Sequence, residues 1–187
     1  MRLFVAIELP GDARAEVARA TAPFRGADDA LRWTRTENLH LTLAFLGEMP
    51  EERVPALTEA LAGAAAQVAP FALTLSGVGG FPGLRRPRVV WAGVAAPDAL
   101  GRLHAAVEAA LVPHGYLAER RPYTPHLTLA RAQGGRAQPM PELAERAAEV
   151  ELGTSLEVKE IVLMRSRTEA GGARYERLAA LALTGAD

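Results

Sequence analysis

Two stretches of five residues are identical: His40-Leu41-Thr42-Leu43-Ala44 and His126-Leu127-Thr128-Leu129-Ala130, at an offset of 86 residues. They hold two of the chain's four histidines. Two imidazoles that titrate near neutrality can present a neutral base and a protonated acid to the same substrate. Cleavage of a phosphodiester calls for that pair: the base activates water and the acid protonates the departing alkoxide. Threonine hydroxyls can donate hydrogen bonds to non-bridging phosphate oxygens and so stabilise charge in the transition state. A five-membered cyclic phosphate suits such a site, because ring strain already lowers part of its barrier.

The spacing also says how these groups are carried. On a strand, residues i and i+2 share a face. His40 and Thr42 then project together, with Leu39, Leu41, Leu43 and Phe45 on the opposite, core side. His126 and Thr128 stand likewise against Leu127 and Leu129. Two such strands, from two similar halves, can surround one cleft with two imidazoles and two hydroxyls.

Around the motifs the pattern predicts strands at 2–8, 38–46, 70–78, 88–95, 126–131, 156–165 and 174–183. Helices are predicted at 13–22, 51–67, from Asp98 to a stop at His114-Gly115, and at 141–149. Gly79 to Pro87 reads as a loop, and 83–88 and 132–141 are the strongest loop segments. This order gives an α+β class with antiparallel sheets. No linker separates independent domains, so residues 1–187 are expected to form one sizeable domain or two closely packed lobes.

Composition narrows the chemistry. The absence of cysteine excludes disulfides, thiolate zinc sites and cysteine nucleophiles, and fits a cytoplasmic location. A formal net charge of −1 is not that of a protein coating long nucleic acid, so any such contact is local. No segment approaches the ~20 apolar residues of a membrane helix. Neither histidine motif has a third ligand at metal spacing, so no metal and no cofactor are expected. His104, one helical turn before Glu108, is expected on a solvent face. His114 stands by a helix end, where it can meet the last carbonyls.

At the paired motifs the chain resembles the two-histidine phosphoesterases, and within them the RNA 2′,3′-cyclic phosphodiesterases formerly named 2′-5′ RNA ligases. The resemblance extends from Arg2-Leu3-Phe4-Val5-Ala6-Ile7 through Trp33, Phe81-Pro82, Arg86-Pro87-Arg88-Val89 and Trp91-Ala92-Gly93. Tyr123-Thr124-Pro125, Arg131, Ile161 to Arg167 and Tyr175 complete it. It implies a bilobal fold, two pseudo-symmetric lobes flanking a central cleft. It further implies His40 as proton donor to the leaving 3′ oxygen, His126 as the base that activates water, and a 2′-phosphomonoester product. Members can also join RNA ends through a 2′-5′ linkage.

By the same resemblance Arg131 lies near the substrate phosphate, and Phe45 and Phe4 contact the nucleobase or ribose, with Tyr123 a further binding residue. Alternation would set Arg131 with Leu127 and Leu129, so the strand must end or twist there. The Arg85, Arg86, Arg88 cluster and the Arg120, Arg121 pair could track an RNA backbone. The expected partner is an RNA end bearing a 2′,3′-cyclic phosphate, bound by a monomer. Two alternatives remain from the residues: a nucleotide or RNA-end binding module without catalysis, and a hydrolase of a small cyclic phosphate such as a cyclic ADP-ribose phosphate.

Overall fold

The computed structural model describes residues 1–25, 30–95, 97–118, 121–170 and 172–186. In chain order the elements are β1 (Arg2–Glu8), α1 (Gly11–Thr21), β2 (Leu31–Trp33), β3 (His40–Glu48), α2 (Val54–Ala65), β4 (Phe71–Phe81) and β5 (Val89–Ala95). There follow α3 (Asp98–Leu111), β6 (His126–Ala132), α4 (Pro141–Ala148), β7 (Ser155–Val158), β8 (Glu160–Glu169) and β9 (Gly172–Ala182), with short 3₁₀ turns between. Among the described residues no helix is long and apolar enough to cross a membrane.

All pairings are antiparallel, in the order β7-β4-β5-β6-β3-β1-β8-β9, with β2 lying beside β6. One lobe is β3-β1-β8-β9 and the other is β6-β5-β4-β7, so each His-x-Thr strand is the innermost strand of its lobe. Among the described residues the two inner strands, β3 and β6, pair at one bridge, Leu41 opposite Leu127. They cannot stay paired for long. From Ala130 to Ala132 the free edge of β6 is taken by β2, which forces β3 away and leaves a cleft between the lobes.

The leucine side of both motif strands faces a core closed by α2 and α3. Leu57, Leu61, Ala64 and Ala65 of α2 and Leu100, Leu103, Val107 and Leu111 of α3 recur at helical spacing and are buried. They join Leu41, Leu43, Leu127 and Leu129 in one cluster. Each such leucine contributes about 1.5–3 kcal/mol by leaving water. Gly115, at φ 88°, ends the turn after α3, where glycine alone adopts a left-handed backbone without strain.

Three sequence expectations change. β2 was not foreseen, because three residues carry no periodic signal. The strand expected at 156–165 is two. β7 alternates exposed and buried residues and edges the second lobe, whereas β8 runs buried, exposed on neither face from Ile161 to Met164, in the first. The chain crosses between lobes at Lys159. Finally, β4 continues through Phe81 into the segment read as a loop from Gly79, because Gly79, Gly80 and Phe81 pair with Trp91, Val90 and Val89.

Candidate active site

Strict alternation fails at matching places in the two motif strands. Opposite β1, Ala44 pairs with Val5 and Thr42 with Ala6, so Leu43 is an extra residue on β3. Opposite β5, Ala130 pairs with Val90 and Thr128 with Trp91, so Leu129 is the extra residue on β6. Each is a β-bulge, which reverses the facing of the residues that follow. Both strands therefore bury two consecutive residues, Leu43-Ala44 and Leu129-Ala130, and then expose the next. That next residue is Phe45 in one lobe and Arg131 in the other. Phe45, expected on the core face by alternation, is 48% exposed and lies on the histidine face instead. The strand does not end at Arg131 but continues to Ala132, and the change of facing expected there is the second bulge.

The two imidazoles are anchored in the same way. His40 Nδ1 lies 2.7 Å from the Asn38 carbonyl and His126 Nδ1 lies 2.8 Å from the Thr124 carbonyl, each two residues upstream. A carbonyl only accepts, so each Nδ1 carries the proton and each Nε2 is left to exchange one with a substrate. In the antiparallel register, Thr128 lies on the His40 side of the Leu41–Leu127 bridge and Thr42 on the His126 side.

The surroundings differ. His40 is packed against Phe4 (centroids 4.9 Å apart) and edge-on to Tyr175 (5.2 Å). Burial lowers its proton affinity from the ordinary value; the hydrogen bond to Asn38 opposes this, and the charges of Arg131 and Arg14 add to it. Glu8, directly across the ladder from His40, is itself paired to Arg14 at 3.3 Å and Arg177 at 2.7 Å, and Arg177 is shared with Glu160. His126 stands across from Gly93 and edge-on to Phe81 at 5.2 Å. Phe81 in turn packs on Trp91, whose ring covers Gly79 so closely that a Cβ there would lie 2.1 Å from it.

Phe4 is 1% exposed and forms a floor under His40 and Phe45, which stacks on it at 5.6 Å; it offers no open face to a base. Tyr123 is tied down on both sides. Its hydroxyl donates to the Thr42 carbonyl at 2.9 Å, linking the approach to one motif with the strand of the other. Its ring stacks on His104 at 3.8 Å, and burial raises its phenolic pKa. His104, expected on a solvent face, thus has a side chain only 15% exposed, because the segment leading to β6 covers that side of α3. Arg85, Arg86 and Arg88 are exposed on the loop between β4 and β5, and the Arg88 carbonyl accepts from the Ala132 N–H at 2.9 Å. Arg121 is exposed, and Arg120 lies outside the described residues.

Tyr175 was not singled out as a site residue, although it adjoins His40 and feels the charges of Arg131 and Arg2. Only its place in the resemblance signalled it. A groove of about 330 Å³ opens beside His40, lined by Arg35, Asn38, Glu169, Arg174 and Tyr175 among others, a size suited to a nucleotide fragment. Among the described residues no three His, Asp or Glu side chains converge as metal ligands.

A family model described as the 2′-5′ RNA ligase superfamily matches residues 9–170. The chain is 37% identical over 183 residues to an RNA 2′,3′-cyclic phosphodiesterase of Geobacillus stearothermophilus, covering 98% of this chain and 57% of that protein. To the enzyme of that name from Methanothermobacter thermautotrophicus it is 33% identical, covering 94% and 95%. A crystal structure from Thermus thermophilus superposes with a TM-score of 0.84 at 31% identity, covering 99% of both chains. E. coli LigT complexed with 3′-AMP superposes with a TM-score of 0.79 at 33% identity, covering 98% of both. The doubled motif, the lobes that carry it and these likenesses agree, and the chain belongs to the 2′-5′ RNA ligase superfamily.

Proposed function

We propose that the chain hydrolyses RNA 2′,3′-cyclic phosphate ends to 2′-phosphomonoesters, with His40 as proton donor and His126 as base. The observation that carries this reading is the matched anchoring of the two imidazoles, each held through Nδ1 with Nε2 available to a shared substrate. Water attacks phosphorus as His126 Nε2 takes its proton. The bond from phosphorus to the 3′ oxygen breaks, and His40 Nε2 protonates that oxygen. Thr42 and Thr128 donate to the non-bridging oxygens, and Arg131 offers a guanidinium to the same phosphate.

A donor must hold a proton, yet burial and two arginines disfavour one on His40. An arriving phosphate anion reverses that balance by supplying the missing opposite charge. His40 thus gains its proton with the substrate. A 5′ hydroxyl of a second RNA end, replacing water, would give a 2′-5′ linkage by the same steps. Phe45, exposed and backed by Phe4, is the face on which a base of any identity can stack. The RNA end is the only partner this chemistry requires.

A short RNA ending in a 2′,3′-cyclic phosphate, incubated with the protein in excess EDTA, tests this reading by phosphorus NMR of the product. Conversion to the 2′-phosphate is the expected result. A 3′-phosphate product would mean that the 2′ oxygen leaves, and binding without turnover would make the cleft a recognition module.

A further inference from the structure

The short strand β2 places one more cation on the cleft face. Its register against β6 is Leu31 to Ala132, Arg32 to Arg131 and Trp33 to Ala130. Residues directly opposite in an antiparallel pair project to one face, with Cβ atoms about 4.5–5.5 Å apart. Leu31 and Ala132 are buried together, whereas Arg32 and Arg131 are exposed together on the side to which the bulge at Leu129 has turned Arg131. Slippage of β2 is opposed from both ends. Leu31 belongs to the core cluster, and Trp33 packs against that cluster beneath the Arg25 guanidinium, 5.4 Å from the ring.

Like charges directly opposite on a sheet are destabilising. Among the described residues no carboxylate pairs with Arg32 or Arg131. An unrelieved pair of guanidiniums on a cleft face is what a bound anion would relieve. Arg131 is close enough to His40 to lower its proton affinity, so it belongs to the reacting phosphate. Arg32 is one strand further out along the same face.

We infer that Arg32 binds the phosphodiester immediately upstream of the terminal cyclic phosphate, so that the cleft reads a polynucleotide end in preference to a mononucleotide. This rests on the proposed hydrolysis of RNA cyclic phosphate ends. It places a specificity determinant in an element only three residues long, outside both repeated motifs.

The test compares Arg32→Ala and Arg32→Lys with wild type on two substrates: an RNA trimer ending in a 2′,3′-cyclic phosphate and a nucleoside 2′,3′-cyclic phosphate lacking any 5′ phosphate. For Arg32→Ala the preference for the trimer, as the ratio of kcat/KM values, is expected to fall about tenfold through KM. The slope of log kcat/KM against log salt for the trimer should flatten by about 0.7, the contribution of one phosphate contact to a single strand. Arg32→Lys, which keeps the charge, should retain that slope. The melting temperature of Arg32→Ala should hold or rise, because a repulsion is removed. An equal loss on both substrates would overturn the inference, and so would an unchanged trimer preference. Anisotropy of a labelled trimer, which needs no turnover, separates this from the hydrolytic reading. Binding by wild type that weakens in Arg32→Ala, with neither protein turning over, would sink hydrolysis and leave the phosphate subsite standing.

Discussion

The two motif strands share their anchoring and their bulges but not the residue the bulge exposes. In the first lobe that residue is Phe45, beside a histidine enclosed by Phe4 and Tyr175. In the second it is Arg131, on the strand of a histidine set across from Gly93 and against Phe81. The repeat thus preserves what both halves of an acid–base pair need, a fixed imidazole with a hydroxyl two residues on. The halves diverge in what that residue offers, a flat aromatic ring in one lobe and a guanidinium charge in the other, which in the proposed reaction would meet a base and a phosphate. Because the strands run antiparallel across the Leu41–Leu127 bridge, Arg131 of one lobe acts on the histidine of the other, His40.

The largest effect should come from breaking what the halves share. His40→Ala and His126→Ala are each expected to lose about 10²–10⁴ in kcat. The double variant should fall little below the weaker single, since the two act as a unit. Losses that multiplied in full would mean two independent contributions and no concerted pair.

A smaller effect should separate what they do not share. Arg131→Ala and Phe45→Ala should each raise KM, the latter by the about 1–3 kcal/mol of a base–aromatic stack. Only Arg131→Ala should also change the pH dependence. Its charge lowers the proton affinity of His40, so its removal should move the alkaline limb of kcat/KM to higher pH. A limb that moved equally in Phe45→Ala would undo the cross-lobe assignment.

The smallest effect is on stability. His40 holds a proton less readily folded than unfolded, so the unfolded chain binds more protons as pH falls past the ordinary value of 6.5. The stability it contributes is present above that pH and is lost as pH drops toward its lowered folded value. Melting of wild type should therefore fall more steeply than that of His40→Gln as pH drops below 6.5. Parallel curves would show that burial places no such penalty on the imidazole.

Much of this was legible in the sequence because the repeat spans the motif strands, and because α2 and α3 carry clear apolar stripes. The facing of Phe45 was not, since alternation counts every residue and a bulge inserts one that should not be counted. A signal was present: Leu43-Ala44 and Leu129-Ala130 are adjacent apolar pairs at matching positions, which a strictly alternating strand would not have. Arg32 was invisible for another reason. Its strand is too short to show a period, and its proposed role arises from Arg131 standing opposite, a relation set by pairing across about a hundred residues of chain. His104 looked solvated because its helix was read alone, without the Tyr123 segment that covers it.

The proposed catalysis rests on one acid and one base supplied by matching strands, and the pH dependence of kcat/KM tests that most directly on an RNA 2′,3′-cyclic phosphate end. Wild type should give a bell, because the rate falls at high pH as the donor loses its proton and at low pH as the base gains one. Residual turnover by His40→Ala should lose the alkaline limb and keep the acid one, and His126→Ala should do the reverse. Limbs exchanged between the variants would exchange the two roles, and a wild-type rate still climbing into alkaline pH would contradict the acid–base pair itself.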